Sequence, residues 1–305
     1  AASPPAEAAT WAFPEAMAAI SIGNSVQGRA IEMGCTGAGD RTVLVVGGVH
    51  TGPSEGVTTD LARQVAHAVA GGGIAVPDSL RVCVLPALNP DGVALGTRTN
   101  ANEVDLNRNW PAHNWRPDAY HPGSGEVSGG DRPLSEPETS ALYRHLAQAR
   151  PAAIVVFHCC GALVEANEVA GAPEMGRAYA AAAGLAYIEE WTAYTINGQL
   201  LDAMDGVGIP MIDIELAHSG STDFAQHGAG VAAMLATVAG ESVTTSSGVE
   251  RTAAVAPGGL YRIQPGDTIS GVATRYRVSA AALLSTNYIT RADQFVPGRL
   301  IRIPG

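Results

Sequence analysis

Apolar residues along the first 240 positions follow two rhythms. Residues 41–49 and 80–88 predict buried strands, the β-branched apolar run 153–157 another, and residues 211–216 a further strand. Between them, Val57, Leu61, Val65 and Val69 recur every four residues and predict a helix over 54–70. Ser135-Glu-Pro-Glu138 sets a Ser three residues ahead of a Glu with an early Pro, which predicts a helix over 136–149 with Ser135 as its cap. Helices are also expected over 173–183 and the Ala-rich 222–238. The alternation predicts an α/β fold, a mixed central sheet flanked by helices. Ligands of such sheets sit beyond the carboxyl ends of the strands, where His50, Asn89 and His158 fall.

Past residue 240 the texture changes. Residues 241–259 are rich in Ser, Thr, Ala and Gly and read as a linker. Residues 260–305 read as a small β-α-α-β module with a strand at each end, a Gly266-Asp267 turn and a second helix opened by Ser279. The expected division is therefore 1–240, 241–259 and 260–305. No apolar run reaches the roughly 18 to 20 residues of a membrane helix, so no membrane span is expected. The first residues lack a basic start and an apolar segment, so any export signal is expected to have been removed.

Charge sharpens the division. Of 305 residues with net charge -11, positions 1–259 hold 12 Arg against 27 Asp plus Glu, and positions 260–305 hold 6 Arg against 2 Asp. The large part repels nucleic acid, whereas the tail suits an anionic polymer. All 18 basic residues are Arg, which excludes Schiff-base lysine chemistry and a lysine-bearing phosphate loop. Cys35, Cys83, Cys159 and Cys160 lack Cys-x-x-Cys spacing. Cys35 and Cys83 can bridge if their strands are neighbours, and otherwise are buried thiols.

The chemistry concentrates at strand ends. Asn89-Pro-Asp-Gly92, Arg98-Thr-Asn100 and Asp105-Leu-Asn-Arg-Asn-Trp110 place two arginines among carboxamides on what reads as one anion-holding loop. His50, Glu55 and His158 offer two imidazoles and a carboxylate, which suits a catalytic zinc that keeps a position open for water. His67 and His145 within helices, and His113 and His121 within a loop, read as structural or exposed; His218 and His227 follow Glu215 at a possible cleft rim.

Taken in order, residues 23–31, Gly47-Gly-Val-His50, the NPDG and DLNRNW motifs, SEPET at 135–139, Phe157-His158 and Ile214-Glu215-Leu216 closely resemble the zinc metallocarboxypeptidases of the carboxypeptidase A type, over about residues 20–238. The resemblance implies one zinc held by His50, Glu55 and His158, an oxyanion-stabilising Arg98, and Asn107 with Arg108 gripping a substrate's terminal carboxylate. It implies Glu215 as general base, Tyr194 as a lid tyrosine and Leu201 near the specificity pocket. Asp213 shares a strand face with Glu215 and either raises its pKa or is bonded to nearby backbone. Two departures stand out. The spacing His50-Thr-Gly-Pro-Ser-Glu55 is two residues longer than the family's His-x-x-Glu, so the loop must bulge, and Cys159-Cys160 replaces a Ser-Tyr type sequence. By alternation Cys160 either faces the metal side and approaches zinc or, as is more common, is a small buried thiol.

The tail resembles a LysM domain almost end to end, which implies binding to peptidoglycan or another N-acetylglucosamine polymer through Thr268, Ile269, Thr290 and Gln294. Peptidase and glycan binder together imply a secreted, wall-associated enzyme that cuts peptidoglycan stem peptides, as a carboxypeptidase or at the γ-D-glutamyl to diamino acid bond. Two alternatives remain: a general carboxypeptidase for peptide C-termini, which Leu201 favours, and a disabled wall-binding protein, which the long His50 to Glu55 loop favours.

Overall fold

In the computed structural model, residues 11–240, 260–262, 269–287 and 300–304 are described. Two compact units divide at residues 243 and 244. The first contains ten strands: β1 (Ala18–Asn24), β2 (Ala30–Thr36), β3 (Arg41–Val46), β4 (Leu80–Leu85), β5 (Asp118–His121), β6 (Gly125–Ser128), β7 (Ala153–Cys159), β8 (Leu163–Ala166), β9 (Ala186–Ile188) and β10 (Met211–Leu216). Its helices are α1 (Gly52–Glu55), α2 (Val57–Ala70), α3 (Pro90–Leu95), α4 (Pro137–Ala149), α5 (Ala172–Ala183), α6 (Leu200–Val207) and α7 (Phe224–Ala239), with a 3-10 turn at Leu106–Arg108.

Eight strands form one mixed sheet in the order β1-β2-β4-β3-β7-β10-β8-β9. The central four run parallel, while β2 joins β4, and β8 joins β10, antiparallel. Each face carries its own core. Leu61, Val65, Tyr179, Ile212, Ile214 and Val231 pack on the side of α2, α5 and α7. Leu44, Val46, Leu142, Ile154, Leu201 and Met204 pack on the side of α4 and α6. Strand β10 therefore splits by parity: Ile212, Ile214 and Leu216 enter one core, and Asp213 and Glu215 are left on the opposite face.

Several boundaries differ from expectation for physical reasons. The helix expected from residue 54 is broken: α1 is a single turn and α2 starts at Val57. Ser135 does not cap α4, whose cap position is Glu136; the Ser135 hydroxyl instead bonds the Glu136 carboxylate at 2.7 Å. Asn89-Pro-Asp-Gly92 is not open loop but the start of α3, with Asn89 Oδ1 accepting from the Gly92 amide at 2.8 Å. Asp91 is buried and accepts from the Ser25 hydroxyl, the Gln27 amide and Arg29. That motif therefore ties the loop after β4 to the sheet edge and holds no external anion.

Cys35 and Cys83 face each other across the β2/β4 pair and form a disulfide at a sequence separation of 48. Closing a loop of that size restricts the unfolded chain, so replacing both by Ala is expected to cost about 3 to 4 kcal/mol. Chemical denaturation of the double variant beside the wild type checks this. Cys159 and Cys160 are also joined, with a cis peptide bond between them, and Cys160 is exposed. Both expectations for Cys160, a thiol near the metal and a small buried thiol, are thus corrected: the pair is oxidised, and the Cys160 sulfur lies against the Ser54 carbonyl.

In the second unit, Leu260–Arg262 pairs antiparallel with Leu300–Arg302, and two helices, Ile269–Tyr276 and Ala280–Thr286, lie between them in the chain. Tyr261, Val272, Leu283, Ile301 and Ile303 form its core. Ser279 Oγ accepts from the Ala282 amide and opens the second helix as expected. Ile269 begins the first helix. Thr268, Thr290 and Gln294, the Gly266-Asp267 turn and the 241–259 linker lie outside the described residues.

Candidate active site

Three adjacent parallel strands deliver the central residues. His50 follows β3, His158 lies near the end of β7, and Glu215 on β10 stands directly opposite His158 in the register. Glu55 joins them because Gly52, at φ +76°, turns the chain into α1; a side chain there would sit 2.8 Å from the Gly96 carbonyl oxygen. The two extra residues are thus absorbed by one tight turn, and Glu55 Oε2 reaches 3.2 Å from His50 Nδ1 and 3.5 Å from His158 Nδ1.

The long loop after β4 wraps over this group. Asn100 holds it in place, donating to Glu136 and Glu138 while its own Oδ1 accepts from the Asn102 and Val104 amides. Asn109 bonds Thr139 and the Gly129 carbonyl. The SEPET motif is therefore the anchor of the loop. Asp105, fully buried, receives His50 Nε2 at 2.7 Å and Arg98 Nε at 3.1 Å. Arg98 also pairs with Glu55. Burial pushes Glu55 and Asp105 up, but His50 and Arg98, joined at Glu55 by His158, outweigh it and hold both carboxyls well below the usual range.

A metal fits this donor set. With Asp105 accepting the Nε2 proton of His50, the Nδ1 lone pair points at a carboxylate, and the facing atoms of His50, Glu55 and His158 all lie within 4.8 Å of one another. A bound cation would satisfy all three groups at once. All three residues are buried, and two imidazoles with one carboxylate form the donor set of an open zinc site.

Around the cluster is a cleft lined by Arg98, Asn107, Arg108, Tyr194, Gln199 and Glu215 among others. Arg108 is only 1% exposed, yet its Nε and Nη2 have no hydrogen-bond partner among the described residues. Asn107 Oδ1 accepts from the Leu200 amide at 3.0 Å, and its Nδ2 lies 3.4 Å from His158 Nε2. Burial raises Tyr194 while neighbouring Arg108 opposes it, and the ring sits edge-on to Trp191 and His121.

Glu215 is pushed up to about 7, first by burial and then by Glu55 and Asp213, against His158 and His50. Its Oε2 accepts from the Gly161 amide at 3.2 Å. Asp213 is itself raised to about 6 by burial. Activity that needs the Glu215 carboxylate is lost as pH falls through its pKa, so Asp213→Asn is expected to move the acidic limb of kcat/KM to lower pH. An unmoved limb in a pH-rate profile would leave burial and Glu55 as the cause.

Sequence expectation and structure part at other positions. Leu201 is 3% exposed within the α6 core and does not line the cleft; Gln199, two residues earlier, does. His121, expected to be structural or exposed, lines the cleft, where burial, Arg98 and Arg108 lower its pKa to about 4. His227 is buried against Tyr179 at 2.9 Å, away from any rim, and His218 faces Asp223 near the surface. Asp105, Glu165 and Trp191 were without assigned roles. Asp105 was findable from its fixed place two residues before Asn107; the other two depend on how β8 returns beside β10.

The fold and the His-Glu-His centre define a metal-dependent hydrolase of the peptidase type. The chain belongs to the zinc carboxypeptidase family, whose model matches residues 6–169. It is a zinc metallopeptidase by that membership, with zinc as its cofactor. Residues 261–304 match the LysM domain model. Murein peptide amidase A of Escherichia coli K12 is 44% identical over 90 residues, which is 27% of this chain and 37% of that protein. Carboxypeptidase SOL1 of Arabidopsis thaliana is 35% identical over 89 residues, 29% of this chain and 16% of that protein. The chain thus spans well under half the length of the curated relatives it matches. Among solved structures, murein-tripeptide amidase of Escherichia coli O157 superposes with TM-score 0.57 at 25% identity, covering 74% of this chain and 93% of that one. Carboxypeptidase A of Helicoverpa armigera, at 18% identity, TM-score 0.61 and coverage of 75% and 70%, shares the fold.

Proposed function

We propose that this chain is a secreted, wall-associated peptidase that cuts peptidoglycan stem peptides on the amino side of a residue bearing a free carboxylate, the γ-D-glutamyl to diamino acid bond being the favoured target. The observation that carries this reading is Arg108, a buried guanidinium that lines the cleft beside the His-Glu-His cluster and has two nitrogens without a hydrogen-bond partner among the described residues. A carboxylate is its natural planar partner. The choice of wall peptide is supported by the names of the murein amidase relatives and by the LysM match.

His50, Glu55 and His158 would hold zinc, with Asp105 orienting His50. When bound, zinc supplies Lewis acidity that polarises a carbonyl and makes water a better nucleophile. Glu215 takes a proton from the attacking water and returns it to the departing amine. Arg98 stabilises negative charge on the carbonyl oxygen, Asn107 and Arg108 hold the terminal carboxylate, and Tyr194 covers the bound peptide. Through Thr268, Ile269, Thr290 and Gln294 the tail grips N-acetylglucosamine polymer, which raises the local concentration of stem peptides without altering the site.

Purified protein is expected to contain one zinc per chain, to lose activity with a chelator and to regain it with zinc. Mass spectrometry of purified muropeptides, run beside ordinary peptides, is expected to show stem peptides shortened at one bond. Efficient cleavage of ordinary peptides with intact muropeptides would replace this reading by a general carboxypeptidase.

A further inference from the structure

We propose that the Cys159–Cys160 disulfide positions the two carboxylates of the active site, Glu55 and Glu215, and that a dithiol reductant, by opening it, turns the hydrolase down. The inference goes beyond the proposed function and rests on the roles given there to these two residues. The bond joins neighbours in sequence, so the ring it closes contains only atoms of the two cysteines. A ring that small restricts almost none of the unfolded chain, and unlike Cys35–Cys83 it adds little to fold stability by that route. What it does restrict is the backbone that leaves β7 beside the cleft. That backbone touches both carboxylates: the Cys159 amide donates to Glu55 Oε2 at 3.3 Å, and the Gly161 amide donates to Glu215 Oε2 at 3.2 Å. Gly161 comes close to do so, since a Cβ there would sit 3.0 Å from the Glu215 Cβ. His158, immediately before the ring, has Nδ1 3.5 Å from Glu55 Oε2. On the other side, Cys160 Sγ lies 3.7 Å from the Ser54 carbonyl oxygen, one residue ahead of Glu55. The ring is thus held between the turn that carries one carboxylate and the strand that carries the other.

Access decides which bond a reductant meets. Cys160 is exposed and Cys159 half-buried, whereas Cys35 and Cys83 are 4% and 5% exposed between β2 and β4. One thiolate of the dithiol attacks Cys160 Sγ, which breaks the S–S bond and releases Cys159 as a thiolate that takes up a proton. The second thiolate then attacks the reductant's own sulfur in the mixed disulfide, closing a cyclic disulfide and releasing Cys160, which is protonated in turn. Two electrons pass to the protein, and the dithiol, having given up both protons, is oxidised. With the ring open, both side chains and the backbone between them regain freedom, and neither amide is held on its carboxylate. Hydrogen bonds to a carboxylate are among the strong ones, so losing their aim is felt. At Glu215 the loss acts on proton transfer, and at Glu55 it acts on retention of the metal.

The test uses the full chain, isolated without reductant, with dithiothreitol as the probe. Alkylation followed by mass spectrometry is expected to find no free thiol at first and, after mild treatment of the folded protein, thiols at Cys159 and Cys160 with Cys35–Cys83 intact. Once dithiothreitol is removed and zinc restored, kcat on a cleaved peptide is expected to be lower by about tenfold or more with a smaller change in KM, the size of one lost hydrogen bond to a charged group. Zinc, measured by competition with a chromophoric chelator, is expected to bind more weakly, while Tm stays close to that of the oxidised protein. Re-oxidation with oxidised glutathione is expected to restore both kcat and zinc affinity. The double variant Cys159→Ala, Cys160→Ala is expected to match the reduced protein and to ignore dithiothreitol, which controls for zinc stripping and for Cys35–Cys83. If that variant does not fold, reduction and re-oxidation of the wild type decide alone. Free thiols at Cys159 and Cys160 in the protein as isolated, or unchanged kcat and zinc affinity after reduction, overturn the inference and leave the peptidase reading intact. Oxidised, zinc-loaded protein that cuts no peptide overturns the peptidase reading instead, and the zinc affinities of the oxidised and reduced forms then decide the positioning.

Discussion

Replacing Glu215 by Gln is expected to lower kcat by roughly 10³-fold, near the middle of the range for a lost general acid-base. The amide keeps the shape of the carboxyl and can still accept from the Gly161 amide, so the site should not rearrange. What disappears is the proton acceptor whose pKa, about 7, is matched to neutral solution because burial opposes its ionisation. A matched pKa gives a usable carboxylate fraction and a useful driving force at once. KM should change little, since Glu215 does not hold the substrate's terminal carboxylate, and Tm of the metal-free variant should not fall, since a desolvated acid has been made neutral. Steady-state kinetics with a zinc-content measurement separates the outcomes. Full activity in a zinc-replete E215Q would remove Glu215 from the chemistry.

Much of this site was legible because its residues sit where strand periodicity and chemistry coincide. His158 closes a β-branched run, and Glu215 lies one residue before the end of the run 211–216, so their strand positions needed only a parallel register to become neighbours. The DLNRNW motif was legible in identity but not in division of labour. Asp105 turns in to orient His50, Asn107 bonds the start of α6, and Arg108 is left without a full set of partners. Glu55 was harder, since the spacing from His50 gives no hint that a glycine at φ +76° takes up the extra length. Leu201 failed for a periodic reason. On a helix that begins at Leu200, the apolar face formed by Leu200, Leu201, Ala203 and Met204 turns into the core, so Leu201 is drawn away from the cleft. Glu165 and His121 were out of reach because their place depends on an antiparallel return and a small hairpin that no local pattern announced.

Arg98→Ala is expected to reduce kcat by about 100-fold or more with a smaller change in KM, the pattern for a group that acts mainly on developing charge. The argument rests on how the guanidinium is held. Asp105 accepts from its Nε while Glu55 pairs with Nη1, so its plane is fixed by two carboxylates that are themselves buried. A fixed donor needs no reorganisation when the carbonyl oxygen gains charge, which is where its advantage over water arises. The same contacts create a second consequence. Removing Arg98 takes a cation away from Glu55 and Asp105, so part of the loss could reflect weaker metal retention. Comparing zinc content with kcat distinguishes the two: a variant that keeps one zinc per chain and still loses 100-fold assigns the effect to the oxyanion, whereas zinc loss in proportion to activity assigns it to the integrity of the cluster. Arg98→Lys is the sharper control, because it restores charge near Glu55 without the planar fork that reaches both carboxylates. Recovery of zinc binding with only slight recovery of kcat is the expected result, and full recovery would show that charge alone, not the held geometry, is what the reaction requires.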